Sequence, residues 1–298
     1  MKLFATTRGM LRFLLVLWVS SAFSQTQRHQ ASGLVLKVDP AHQTMVISCK
    51  EIPGYMDAMT MPLHVSSAAE FINLKPGVMI DFDLVADKDE TYADSIRVRV
   101  YLGFEPDPSS ARRLKLLAKA AQPSAKPLAI GDTVPDFTLT GQDGKPVAFS
   151  QFRGKVVVLD FVYTRCALPN FCIRSSNNFG ELQKRFRNQL PRDLILATVT
   201  FDPVHDSPEA LAKYSQRWNA DPAAWRFLTG SEAAIRRVGD LFGEDYFPDE
   251  GLMDHSLHTA IIDRSGHLVA NLEGNEFTAE QLGDLVQTVL AQRPAPSR

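Results

Sequence analysis

The stretch Lys155-Val156-Val157-Val158-Leu159-Asp160-Phe161-Val162-Tyr163-Thr164-Arg165-Cys166-Ala167-Leu168-Pro169-Asn170-Phe171-Cys172 decides how the chain is read. Its first eight residues are almost continuously apolar, the pattern of a strand covered on both faces. Two thiols follow, in the loop and at the start of the next helix. Ligands bind just beyond the carboxyl ends of strands in open α/β sheets. Six residues along one α-helix advance ~9 Å and end on different faces, so two sulfurs in a helix could not share a small ion. The loop is therefore expected to be irregular, with Pro169 placed to make it so. Such a loop also admits a Cys166–Cys172 disulfide if the Cα atoms come within ~7 Å. Arg165 and the helix N-terminus are expected to favour thiolate, the form that binds metal or attacks disulfides.

Downstream, helical and strand patterns alternate. A helix is expected around 175–190 and a second buried strand over Leu194–Val199. Ser207-Pro208-Glu209 caps a helix reaching Trp218, and a further helix runs from Ser231 to Phe242. Strands His258–Asp263 and Leu268–Leu272 flank an Arg264-Ser265-Gly266 turn, before a final helix over Thr278–Ala291. The order β-α-β-α-(α)-β-β-α predicts an α/β layer fold ending in a hairpin, over about 128–293.

Upstream, between about 30 and 104, the pattern is β-like. Leu34–Val38, Thr44–Ile47 and Val78–Val85 read as short strands, with turns at Asp39-Pro40 and Lys75-Pro76-Gly77. About five strands in so short a segment predict a small all-β, OB-like barrel. Residues 105–127, rich in Pro and Ser, read as a linker with one short helix between Ser110 and Ala121. Residues 1–24 read as a secretory signal peptide: Lys2, Arg8 and Arg12, an apolar run from Phe13 to Phe23, then Ala22-Phe23-Ser24 before a cleavage site at Gln25. That run is shorter than the roughly 20 residues a spanning helix needs. The protein is therefore expected to be exported and soluble after cleavage, with retention by an uncleaved N-terminal anchor as the alternative.

With 32 Lys and Arg against 34 Asp and Glu, the chain carries no basic excess of the kind nucleic-acid binding requires. No feature for a nucleotide, flavin or haem is present. All three cysteines, Cys49, Cys166 and Cys172, lie beyond the signal. An odd, small number in an exported chain is chemistry or packing rather than a disulfide scaffold.

Gly131-Asp132, Pro135-Asp136-Phe137-Thr138-Leu139, the two cysteines after their buried strand, Phe201-Asp202-Pro203-Val204-His205-Asp206-Ser207-Pro208 and Asp254-His255-Ser256 together resemble the SCO/SenC family. The resemblance covers about Ile130 to Leu290. It implies a thioredoxin-like fold and a copper ion held by Cys166, Cys172 and His255. It also implies a role in assembling the copper centre of cytochrome c oxidase. The copper-accepting partner would be a respiratory oxidase subunit or another periplasmic cuproprotein. Thiolates select Cu(I), and imidazole suits copper generally. Five residues separate the cysteines here, where the commoner family pattern has three. Asp254 is expected to orient His255, and His205 could reach the same face. A peroxiredoxin would carry Thr or Ser where Tyr163 stands, and a standard thioredoxin would have two residues between its cysteines.

Ile52-Pro53-Gly54-Tyr55-Met56-Asp57-Ala58-Met59-Thr60-Met61-Pro62-Leu63 concentrates three of the eight methionines. If extended, it puts Met59 and Met61 on one face, and thioethers are soft ligands for Cu(I). The segment from about Gly33 to Val100 resembles the CusF-like periplasmic copper-binding domain. Met59 and Met61 then match its methionine ligands, Cys49 its histidine and Met56 its tryptophan. Packing into the barrel core is the competing role for these residues. Three functions remain open: a copper metallochaperone using both domains, a thiol-disulfide reductase using Cys166 and Cys172 as a redox pair, and copper resistance by sequestration.

Overall fold

A computed structural model describes residues 26–87, 90–101, 126–249 and 252–292. The signal-peptide segment, and the linker with its expected helix up to residue 125, lie outside the described residues.

Five strands form the N-terminal barrel: β1 (Gln27–Asp39), β2 (Thr44–Cys49), β3 (Met59–Val65), β4 (Met79–Ala86) and β5 (Thr91–Val98). They close in the order β1-β2-β3-β5-β4, so no strand edge is left open. Inward positions Val35, Met45, Ile47, Leu63, Val65, Ile80, Phe82 and Leu84 form its core. The barrel is the small all-β unit expected, although β1 is far longer than the stretch read from Leu34 to Val38.

The C-terminal unit is a seven-stranded mixed sheet. Its strands are β6 (Thr138–Gly141), β7 (Pro146–Ala148), β8 (Val156–Val162), β9 (Leu194–Thr200), β10 (Trp225–Thr229), β13 (His258–Ile262) and β14 (Leu268–Glu273), with a separate hairpin of β11 (Tyr246–Asp249) and β12 (Leu252–His255). The order is β14-β13-β8-β9-β10-β6-β7. Strands β8, β9 and β10 run parallel, and β13 lies antiparallel to β8. Every residue of β8 and β9 is buried, because helices cover both faces. Those helices are α1 (Arg174–Arg185), α2 (Pro208–Ser215), α3 (Glu232–Phe242) and α4 (Ala279–Ala291). Parallel central strands continued by an antiparallel hairpin make the thioredoxin-like α/β arrangement.

Local chemistry sets the helix ends. The Ser207 and Ser231 hydroxyls accept from the amides of Ala210 and Ala234, and Pro208 opens α2. Thr278 and Gln281 form a reciprocal capping box on α4. Gly243 closes α3 at φ 77°, a left-handed position suited to glycine. Helix α1 stops at Arg185, short of the expected 190. Strand β10, the β6–β7 hairpin and the β11–β12 hairpin add to the order read from sequence; each has five residues or fewer and little periodicity to display.

The barrel docks on α4. Leu34, Leu36 and Met79 join the C-terminal hydrophobic core rather than their own. Asp284 Oδ2 accepts from Ser48 Oγ at 2.8 Å and Thr60 Oγ1 at 2.9 Å, while its Oδ1 meets Arg185 at 2.7 Å. Gln281 donates to the Ser48 carbonyl at 2.9 Å. Replacing Asp284 with Ala should destabilise the docked arrangement by about 1–3 kcal/mol, the cost of stranding those donors. A lowered Tm, with faster amide exchange concentrated in β2 and β3, would show it.

Candidate metal centre

Cys166 lies four residues beyond β8, in a turn where its amide donates to the Tyr163 carbonyl at 3.2 Å. The chain then enters an irregular turn, Pro169–Ile173, broken at Phe171 (φ −111°, ψ −119°) before α1 begins. This kink lets Cys172 turn back toward Cys166, as the spacing required. All three cysteines are free thiols.

His255 ends β12, opposite Tyr246 in the hairpin register. The hairpin carries it over the carboxyl end of β8. Its ring packs against Phe201 at a centroid distance of 4.5 Å and edge-on to Tyr163 and Phe171, both at 5.9 Å. Nδ1 lies 2.6 Å from the Ser256 carbonyl oxygen, so Nδ1–H donates there. Nε2 therefore faces the thiols, 3.8 Å from Cys172 Sγ. The two sulfurs and a ring nitrogen all lie within 4.8 Å of one another. Bonds of about 2.0–2.3 Å to a three-coordinate ion would space its donors roughly 3.5–4 Å apart, so the cluster fits a small soft ion with little movement.

The electrostatics are asymmetric. A hydrogen bond from Cys172 holds the Cys166 thiol well below its ordinary range, against the opposing effect of burial and with help from His255. Burial pushes Cys172 far up, and the neighbouring Cys166 adds to the rise. Burial also opposes protonation of His255, but Cys166 and Glu244 outweigh it and raise the imidazole to about 9. At neutral pH the reduced site is thus a Cys166 thiolate, a Cys172 thiol and an imidazolium.

Two sequence expectations are corrected. Arg165 does not set the thiolate: its guanidinium pairs with Asp202 at 2.7 Å. Asp254 does not orient His255, because it is exposed; the carboxylate beside the ring is Glu244, whose Oε1 lies 3.7 Å from Nδ1. Alternation along β12 sends the two neighbouring side chains to opposite faces, which adjacency in sequence hides. Glu244 follows the α3 cap two residues before Tyr246, and sequence reading missed it. The one available signal was an acidic residue directly after a capping glycine. His205 bonds to Asp202 at 2.8 Å instead of joining the cluster.

In the barrel, β3 is extended and places Met59 and Met61 on one face, as expected. Cross-strand pairing sets Cys49 opposite Met59 and Ile47 opposite Met61. Met59 is 48% exposed at the end of the strand, and Met61 and Met56 are half-buried against the barrel core. Cys49 is buried, which pushes its thiol up to about 11. Cys49, Met59 and Met61 thus share one face, with Met56 in the preceding turn, bridged to Ile52.

A thioredoxin-like domain bearing two thiols and an imidazole within ion-binding distance, joined to a five-stranded barrel with a methionine face, defines a soft-metal-handling class of protein. The SCO1/SenC family profile matches residues 126–291, and the chain belongs to that family. Residues 28–97 match the profile of the copper binding periplasmic protein CusF. A SCO2-like protein of Rickettsia conorii is 30% identical over 139 residues, 44% of this chain and 64% of the relative. The SCO1 protein homolog of Bacillus subtilis is 31% identical over 97 residues, 33% of this chain and 49% of the relative. The chain thus spans less than two thirds of the length of either relative. A SCO1/SenC family lipoprotein from Bacillus anthracis, solved by crystallography, aligns with a TM-score of 0.48 at 29% identity, over 55% of this chain and 97% of that one. Among the described residues no helix is long and apolar enough to cross a membrane.

The charge pattern predicts a specific titration. In reduced, metal-free protein, ultraviolet thiolate absorbance should show one thiolate, Cys166, at neutral pH, lost only on strong acidification, with Cys49 and Cys172 ionising only at strongly alkaline pH. A depressed acid pKa means the ionised form persists as pH falls through the ordinary thiol range. His255→Ala removes one partner of Cys166, so its thiolate signal should begin to disappear at a higher pH than in the native chain.

Proposed function

We propose that this protein is an exported, periplasmic copper chaperone that holds copper through Cys166, Cys172 and His255 and delivers it to the copper centre of a respiratory oxidase. The observation that carries this reading is the convergence of two sulfurs and one imidazole nitrogen within 4.8 Å. Two thiolates and an imidazole form a donor set for copper. Structural zinc takes four protein ligands, and the group has three among the described residues. Copper entry displaces protons from Cys172 and from His255 Nε2, while the Cys166 thiolate is already formed. The match of the barrel to a copper-binding protein supports a second site at Met59 and Met61, with Cys49 and Met56 beside them. That site would take Cu(I) through thioethers, which disulfide formation cannot remove in an oxidising compartment. Membership of the SCO1/SenC family supports this delivery target.

A second reading is favoured by two free thiols lying within 4.8 Å of each other, with Cys166 held low by the Cys172 hydrogen bond and Cys172 pushed up by burial. A reductase uses that asymmetry. The Cys166 thiolate attacks a partner disulfide and releases one partner thiolate. Cys172, losing its proton, then attacks the mixed disulfide, forming Cys166–Cys172 and freeing the second partner sulfur. This chemistry needs both cysteines but no histidine ligand.

Anaerobic Cu(I) titration of the reduced protein against a competing chelator separates the readings. The expected result is two tight equivalents in the native chain and one in Cys166→Ser/Cys172→Ser. One falling to none would leave the methionine face as core packing. No tight copper in either would leave the reductase. In cells, His255→Ala is expected to abolish oxidase assembly; full assembly with that variant would overturn the delivery role.

A further inference from the structure

Glu244 is the most conspicuous buried charge outside the three donors. Its side chain is 0% exposed, and neither carboxylate oxygen has a hydrogen-bond partner among the described residues. Enclosing such a group without a hydrogen bond costs stability, which the imidazole at 3.7 Å offsets only in part, and an apolar residue of similar volume would avoid the cost. Its position is tightly determined. Gly243 ends α3, the Glu244 amide donates to the Gly239 carbonyl at 2.9 Å, and β11 starts two residues later. His255 is paired with Tyr246, so Glu244, two residues before Tyr246, lies diagonally beside the imidazole on the same face.

We propose that Glu244 is a positioning residue for the copper ligand His255: together with the Ser256 carbonyl it holds a proton on Nδ1, so that Nε2 is the nitrogen presented to the ion. This rests on the copper reading of the site. The Ser256 oxygen takes the short contact at 2.6 Å, and Glu244 stands at 3.7 Å on the same ring nitrogen. The Ser256 acceptor takes the Nδ1 proton, and the carboxylate at ion-pair distance favours keeping it there by charge, so that nitrogen is excluded from coordination. The opposite nitrogen already faces Cys172. A carboxylate behind a ligating histidine fixes ring orientation and raises ligand basicity, and its loss typically weakens metal binding about 10- to 100-fold.

The test uses the full chain with Met59→Leu/Met61→Leu, so that the C-terminal thiols dominate copper uptake, and compares Glu244 with Glu244→Gln and Glu244→Leu. Three quantities are read: Cu(I) affinity by chelator competition, Tm of the metal-free protein, and the NMR resonance and solvent exchange of the His255 Nδ1 proton without metal. Glu244→Leu is expected to weaken Cu(I) binding about 10- to 100-fold, with Tm unchanged or raised and the Nδ1 proton exchanging faster. Glu244→Gln keeps an acceptor oxygen and should recover part of the affinity. An unmoved Nδ1 proton in Glu244→Leu overturns the inference, whatever happens to copper. Native affinity in Glu244→Leu overturns it equally. If the chain with Glu244 intact takes up no copper, the copper reading of the site falls, and the metal-free Nδ1 measurement still decides whether Glu244 positions the ring.

Discussion

Cys166, Cys172 and His255 are polar groups enclosed where water hardly reaches, and the two thiols and the imidazole Nε2 meet one another there. Cys172 is fully buried and Cys166 nearly so, with aromatic rings packed around the imidazole. In such surroundings an unpaired thiolate or imidazolium would be costly. Sharing one hydrogen-bonded cluster splits the two thiols into a thiolate and a thiol, so the site is charged before any ion arrives. The kink at Phe171, the length of β8 and the placement of the β11–β12 hairpin all serve to bring these three groups together. The same arrangement that suits a soft ion also suits thiol exchange, which is why His255 separates the two functions and the cysteines do not.

The barrel shows how one ribbon serves two purposes. Strands β2 and β3 alternate their side chains, so the Ser48–Thr60 pair and the Cys49–Met59 pair point to opposite faces. The first pair meets Asp284 on α4 and anchors the barrel. The second lies on the face with Met61. Residues that hold the domains together and residues that could hold copper are therefore neighbours in sequence yet separated by the thickness of a sheet. The linker expectation pictured two tethered units; the structure packs Leu34, Leu36 and Met79 of the barrel into the C-terminal core.

Much of the architecture was legible in the chain. Fully apolar β8 and β9 declared a sheet covered on both faces, and Ser207-Pro208 and Thr278 marked their helices through capping chemistry. Short strands such as β10 and the β11–β12 hairpin were not legible, since four or five residues cannot show a period. At the site, the thiols could be named from their place after β8. Arg165 and Asp254 were assigned by adjacency, and both assignments failed for the same reason: a neighbour in sequence need not share a face.

The sequence alone therefore determined the two folding units, the irregular loop between the cysteines and the soft character of the donors, because periodicity, proline and sulfur chemistry are local properties. Only the tertiary structure decided that His255 turns Nε2 toward the thiols, that Asp202 rather than a thiolate takes up Arg165, and that Glu244 is enclosed behind the ring. Those outcomes depend on the register of a hairpin and on what is packed against it. Contacts between residues far apart in the chain leave no mark on its local pattern.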